Sequence, residues 1–200
     1  RSTDLNKKES KIIKSNDFIL STGTHSLYLP ILRSCYNLKI FLEINQTENY
    51  FEKENIRQEI DKQEIEKIKF VNPQINYADI IFSVDELPRV STSFNSPQRV
   101  GARKLTIKTK NAFNGISLRR VLVGVCGLNV EITNNSDSSY MEMIIDGDNT
   151  SEDYEISSSI LCPRVIEFLD KPPIWMDGVQ GLMQLITLTH INEALVRRFI

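Results

Sequence analysis

Histidine, cysteine and tryptophan are scarce in this 200-residue chain: two, three and one respectively, and each scarcity removes a class of function. His25 and His190 are the whole imidazole supply, and there is no His-Glu-x-x-His or Cys-x-x-Cys pair. That excludes a histidine-rich or zinc-finger metal site. Cys35, Cys126 and Cys162 are odd in number and widely spaced, so they read as free, mostly packed thiols of a reducing compartment, and a cytoplasmic location is expected. No apolar run approaches the roughly 18 residues of a membrane span, and no membrane partner is expected. The start, Arg1 to Lys14, is polar and has no apolar stretch, so it is not a secretory signal. It also lacks an initiator methionine, which predicts a chain cut from something longer. No Gly-x-Ser-x-Gly elbow is present, and no Gly-x-x-x-x-Gly-Lys-Ser/Thr loop to cradle phosphates. Asp146-Gly-Asp148 lacks the remaining ligands of a calcium loop and reads as a turn, so no metal site is expected.

What is present is ordinary globular material. Apolar residues make up 40% and charged residues 25%, enough for one domain with a full core or two small ones. Lys plus Arg is 24 against 26 for Asp plus Glu, and this near-balance argues against gripping nucleic acid as the main role.

Along the chain, Asp17-Phe-Ile-Leu-Ser21 reads as a buried strand running into the tight Thr22-Gly23-Thr24 turn. Ser26 to Arg33 suits a short helix, and Leu38-Lys-Ile-Phe-Leu42 a second strand. Thr47 to about Phe70 is dense in Glu, Lys, Gln and Ile, without Gly or Pro. It predicts a helix or broken pair of helices, with Ile56, Ile60, Ile65 and Ile68 facing the core and Pro73 closing the stretch. Ala78-Asp-Ile-Ile-Phe82 makes a third strand, and the alternation of strands and helices predicts a parallel α/β sheet. After Pro88 the Ser-, Pro- and Asn-rich stretch from Val90 to Gly101 reads as a linker, giving units 1–88 and 89–200. In the second unit, Lys104 to Lys110 alternates as a strand, and Val121–Ile132 and Tyr140–Ile145 read as strands joined by a turn at Asn134–Asp137. Ser157–Leu169 reads as a helix that Pro163 breaks, and Gly178–Ile200 as a long amphipathic helix with Trp175 anchoring it. The second unit is thus an α+β extension.

Charge is segregated there. Arg99, Arg103, Lys104, Lys108, Lys110, Arg119 and Arg120 form a stretch with no acid, while Glu131 to Glu155 contains eight acids and no base. Complementary cross-strand pairing explains this, and an anion-binding face is the competing explanation. As a nucleic-acid or carbohydrate surface the basic stretch is poor, because Phe94 and Phe113 are too few aromatics to interleave.

Phe18-Ile-Leu-Ser-Thr-Gly-Thr-His-Ser-Leu-Tyr-Leu-Pro30, Leu38-Lys-Ile-Phe-Leu-Glu43, Val71-Asn-Pro-Gln74 and Tyr77-Ala-Asp-Ile-Ile81 follow one another in a distinctive order. In that order the chain resembles the C-terminal half of the phosphoribulokinase/uridine kinase family of P-loop kinases. Trp175 and Gly178-Val-Gln-Gly-Leu-Met-Gln-Leu-Ile186 are similar to the closing helix of one lineage of that family. The resemblance implies part of a P-loop-kinase-like parallel sheet, and ATP- and magnesium-dependent phosphoryl transfer to a hydroxyl of a sugar-like or nucleoside-like acceptor.

It also implies roles for residues. Gly23 lets backbone approach substrate, and His25 serves an acceptor hydroxyl or phosphate, although taken alone it reads as a structural hydrogen-bonder. Tyr28 and Arg33 stand where relatives place substrate-side groups, packing being the alternative. Arg57, and to a lesser degree Lys53, are remnants of the nucleotide-binding lid, or else solvated helix charges. Two departures stand out: Thr22 occupies the place of the family's acidic residue, leaving no intact catalytic carboxylate, and the lid is short. With the phosphate loop expected upstream of Arg1, this portion is not competent alone. Its sheet edge is expected to need cover from that missing segment or from a partner chain. The alternative reading is a degenerate, non-catalytic relative that acts as a binding or assembly module.

Overall fold

A computed structural model describes residues 19–45, 64–86, 103–110, 114–134, 140–169 and 171–198. Five strands form one sheet: β1 (Ile40–Asn45), β2 (Ile80–Glu86), β3 (Arg103–Lys110), β4 (Asn129–Asn134) and β5 (Tyr140–Asp146). Their order is β1-β2-β3-β5-β4. Among the described strands only β1 and β2 run parallel, so the parallel arrangement expected of residues 1–88 is limited to this one pair; the β2–β3, β3–β5 and β4–β5 pairs are antiparallel and the sheet as a whole is mixed. Between residues 88 and 89, where the composition changes, the sheet does not divide, because β2 and β3 are neighbours in it.

Alternation along β3 explains its two faces. Leu105, Ile107 and Thr109 are buried on one side, and Lys104, Thr106 and Lys108 lie on the other. In register with the buried side stand Ile80 and Phe82 of β2, Met143 and Ile145 of β5 and Val130 of β4. Helices α2 (Gly115–Gly124), α3 (Ser151–Leu161), α4 (Pro163–Phe168) and α5 (Gly178–Arg198) cover that face with Leu118, Leu122, Tyr154, Val165, Leu182, Leu185 and Ile186. Each such aliphatic side chain contributes about 1.5–3 kcal/mol when fully buried, so this one cluster dominates the stability.

The other face is apolar at one end only. There Leu27, Ala78 and Ile81 pack together with Tyr36, Phe41 and Ile75. Elsewhere it is charged, and the register sets Lys104 opposite Asp146 and Asp85, and Lys108 opposite Glu142 at 4.0 Å. Cross-strand pairing therefore accounts for lysines 104 and 108. Lys110 is held by the Asn76 carbonyl and lies over the Tyr140 ring.

Several expectations need correction. Ile19–Ser21 is not a strand: Ile19 and Leu20 are 68% and 88% exposed, and no described strand offers them hydrogen bonds. Asp17 and Phe18 lie outside the described residues. Of the expected helix from Thr47, residues 64–66 are α-helical and continue as a π turn, Lys67–Val71, and a 3₁₀ stretch, Asn72–Tyr77. Ile65 and Ile68 are exposed rather than core, and Ile56 and Ile60 lie outside the described residues. The α and π turns end at Val71, two residues before Pro73, which sits in the first turn of the 3₁₀ stretch.

Val121–Ile132 splits into the end of α2, a turn and β4. Val121, Val123 and Val125 mimic a strand, yet Asn114 caps α2 by accepting from the Ser117 N–H at 3.2 Å, and Leu118 and Leu122 bury one helical stripe. Gly127, at φ 62°, turns the chain into β4. Pro163 does break the following helix, which begins earlier than expected because the Asp153 carboxylate accepts from the Thr150 hydroxyl and N–H. The long final helix is present as α5.

Candidate functional site

Gly23 to Tyr28 forms successive turns, with Ser26 N–H donating to the Gly23 carbonyl at 3.2 Å and Tyr28 N–H to the His25 carbonyl at 3.0 Å. Gly23 has φ 154°, a conformation that L side chains rarely adopt, and no atom lies within 4 Å of where its Cβ would stand. The glycine here answers a backbone requirement and leaves open space beside the turn. Thr22 and His25 are exposed, and Leu27 is buried beneath them against Ala78 and Ile81. A short helix, α1 (Pro30–Arg33), follows, with Pro30 in its first turn.

One side chain ties this turn to the stretch before β2. Gln74 is 2% exposed, and its amide is fully used. Its carbonyl oxygen accepts from Leu27 N–H at 2.9 Å, and its nitrogen donates to the Thr24 carbonyl at 2.9 Å and the Phe70 carbonyl at 2.7 Å. Above it three rings meet edge to face: His25 to Tyr28 at 6.2 Å, His25 to Phe70 at 6.5 Å and Tyr28 to Phe70 at 5.6 Å between centroids. Tyr28 and Phe70 remain 44% and 36% exposed, so the cluster presents a surface rather than a core.

A second tie lies between the starts of β1 and β2. The Asp79 carboxylate accepts from both the Lys39 N–H at 2.9 Å and its ammonium at 3.1 Å, and Asp79 N–H donates to the Lys39 carbonyl at 2.8 Å. The two strands are thereby fixed in parallel from their first residues.

The expected site residues therefore separate. Thr22, Gly23, His25 and Tyr28 come together at the turn, joined by Phe70. Arg33 is committed to structure, since its guanidinium stacks on the Tyr77 ring at 3.5 Å and donates to the Leu27 carbonyl at 3.3 Å. Lys53 and Arg57 lie outside the described residues. Gln74 and Asp79 fall within the Asn-Pro-Gln and Ala-Asp-Ile-Ile segments that carry the resemblance, but neither they nor Phe70 stand out in the sequence as site residues, because their partners are backbone groups that only folding brings near.

Chemically, the turn offers hydroxyls, an imidazole and a phenol, which suit a hydroxyl-bearing ligand. Among the described residues no group of three or more His, Cys, Asp or Glu side chains is placed to hold a metal ion. Cys126 and Cys162 lie in the core, far from this chemistry in character: burial pushes the Cys126 thiol up, and that of Cys162 to about 11.

On the helical face of β1 the cover is incomplete. Ile40 and Leu42 are 37% and 50% exposed, and with Phe82, Ile174, Trp175 and Met183 they line an apolar groove of about 580 Å³. Trp175 packs against the main core as well, with Gln184 bonding Met176 N–H and the Ile174 carbonyl to hold its loop on α5. Among the described residues no helix is long and apolar enough to cross a membrane. Compared with known proteins, the chain matches no family model and no curated protein.

Proposed function

We propose that this chain is a portion of an ATP-dependent small-molecule kinase, and that the Thr22–Tyr28 turn is its acceptor side. The observation that carries the reading is spatial. Three separated segments that resemble the phosphoribulokinase/uridine kinase family, around Gly23–Tyr28, Lys39–Glu43 and Asn72–Ile81, meet through Gln74 and the Lys39–Asp79 tie. They surround one parallel strand pair, as a piece of a nucleotide-binding α/β sheet would. In phosphoryl transfer the protein chiefly positions two substrates and neutralises charge. On this reading His25 bonds the acceptor hydroxyl or its phosphate, Tyr28 and Phe70 wall the acceptor, and the phosphate loop comes from upstream sequence. β1 is outermost among the described strands, and with the half-covered Ile40 and Leu42 it would give such an added strand somewhere to pair.

A second reading, a non-catalytic binding or assembly module, is favoured by two observations. Thr22 supplies no carboxylate, and Arg33 is committed to Tyr77 and Leu27. The coding sequence upstream of Arg1 separates the two. The kinase reading expects a strand followed by Gly-x-x-x-x-Gly-Lys-Ser/Thr; an in-frame start close to Arg1 would leave the module.

A further inference from the structure

We propose that Gln74 is a positioning residue that makes the Gly23–Tyr28 turn and the Phe70–Tyr77 stretch a single unit, so that the spacing of the His25, Tyr28 and Phe70 rings is set from beneath by one buried amide. Its bearing on function rests on the acceptor-side reading of the turn, whereas the coupling itself is mechanical.

The turn's own backbone hydrogen bonds join residues three apart, and the Arg33 guanidinium adds a bond to the Leu27 carbonyl from six residues on. Its described long-range polar attachments are those of the Gln74 side chain to Leu27 and Thr24 and the Ser21–Tyr36 hydroxyl contact. The same amide grips the Phe70 carbonyl, at the end of the π turn that carries the Phe70 ring. Three bonds therefore run from one planar group to two chain segments nearly fifty positions apart. A buried group that needs one acceptor and two donor sites satisfied is specific for an amide. A carboxylate can take the Leu27 N–H but sets a negative oxygen against the Thr24 and Phe70 carbonyls. An aliphatic side chain fills the space and satisfies none of the three. A π turn is rare and is found frequently at functional sites; here it carries the Phe70 ring that meets Tyr28.

Gln74→Glu and Gln74→Leu in the 200-residue chain, followed by NMR, test the coupling. At neutral pH both variants should raise Leu27 amide exchange at least about tenfold, because its acceptor is lost or its anchorage broken. The ring resonances of His25, Tyr28 and Phe70 should shift together, while methyl signals of Leu105, Ile107, Leu118 and Leu122 stay in place. In Gln74→Glu, lowering the pH should partly restore the wild-type pattern, because a protonated carboxyl can donate one of the two missing bonds; Gln74→Leu should show no such recovery. Burial among carbonyls raises the pKa of the introduced acid, which brings the recovery into the native range.

Unchanged Leu27 exchange and ring shifts would overturn the proposal. So would movement of the turn without Phe70, or the same loss of core methyl signals as of ring signals. If Gln74→Glu fails to fold, Gln74→Leu alone still decides between joint and separate movement. None of these readouts involves ATP, so a kinase reading that fails leaves the result standing, and failure here leaves the kinase reading open to its own test.

Discussion

At the scale of single residues, the buried thiols make the sharpest pH statement. Cys162 is fully buried in the main core, and loss of water alone pushes its thiol up to about 11 from 9.0. Between those two values the unfolded chain has released the proton and the folded chain still holds it. The unfolded state binds fewer protons there, so stability falls as pH rises. Burial raises the Tyr154 phenol and the Cys126 thiol as well, which extends the same trend. Unfolding followed by denaturant between pH 8 and 11 should therefore show a plateau up to about pH 9 and then a decline. Cys162→Ala should make that decline shallower; a stability that rises across the window would contradict the assignment. Cys126 and Cys162 match the sequence reading of packed thiols, drawn from three cysteines at wide spacing with no pairing motif, whereas Cys35 is exposed. Gln74 was not legible, because its importance lies in three backbone groups that only folding brings to it.

At the scale of elements, α5 shows how a helix can prefer glycine. A helix interior favours alanine over glycine by about 1 kcal/mol. At Gly181, however, an added Cβ would stand 2.6 Å from Cε2 of Tyr154 and against the Met176 carbonyl. The ring is fully buried, and its hydroxyl is bonded to the Gly178 carbonyl at 2.9 Å, so neither obstacle is the loose end of a flexible chain. Overpacking, at about 1–3 kcal/mol or more, outweighs the propensity gain. Gly181→Ala should lower stability by at least about 1 kcal/mol in denaturant unfolding, and a stabilised variant would show that α5 docks elsewhere. The same contrast explains what was legible at this scale. α5 and β3 announce themselves because one clean period, 3.6 or 2, runs their full length. α2 does not, because three alternating valines override a weak helical stripe until the Asn114 cap and Gly127 are considered together. The π and 3₁₀ turns at Lys67–Tyr77 have no sequence period by which to be recognised.

At the scale of the whole molecule, the sequence predicts an α/β part and an α+β part, and the described strands of both lie in one sheet. A Ser-, Pro- and Asn-rich stretch reads as a boundary, yet Phe82 and Leu105 on either side of it lie in one core, and seven register pairs join β2 to β3. Composition reports how a connection is built, not whether the strands it connects are neighbours. Among the described strands β1 is outermost, with Ile40 and Leu42 only partly covered. That edge, the ring-lined turn and the parallel pair between them are the features on which the kinase reading stands. Its most direct test is transfer of the labelled γ-phosphoryl group from ATP–magnesium to a panel of nucleosides and sugar phosphates. The transfer should be measured for the 200-residue chain and for the product that includes the sequence encoded upstream. The account predicts transfer by the longer product and none by the chain alone. A longer product that neither binds ATP–magnesium at millimolar concentration nor phosphorylates any acceptor would contradict it.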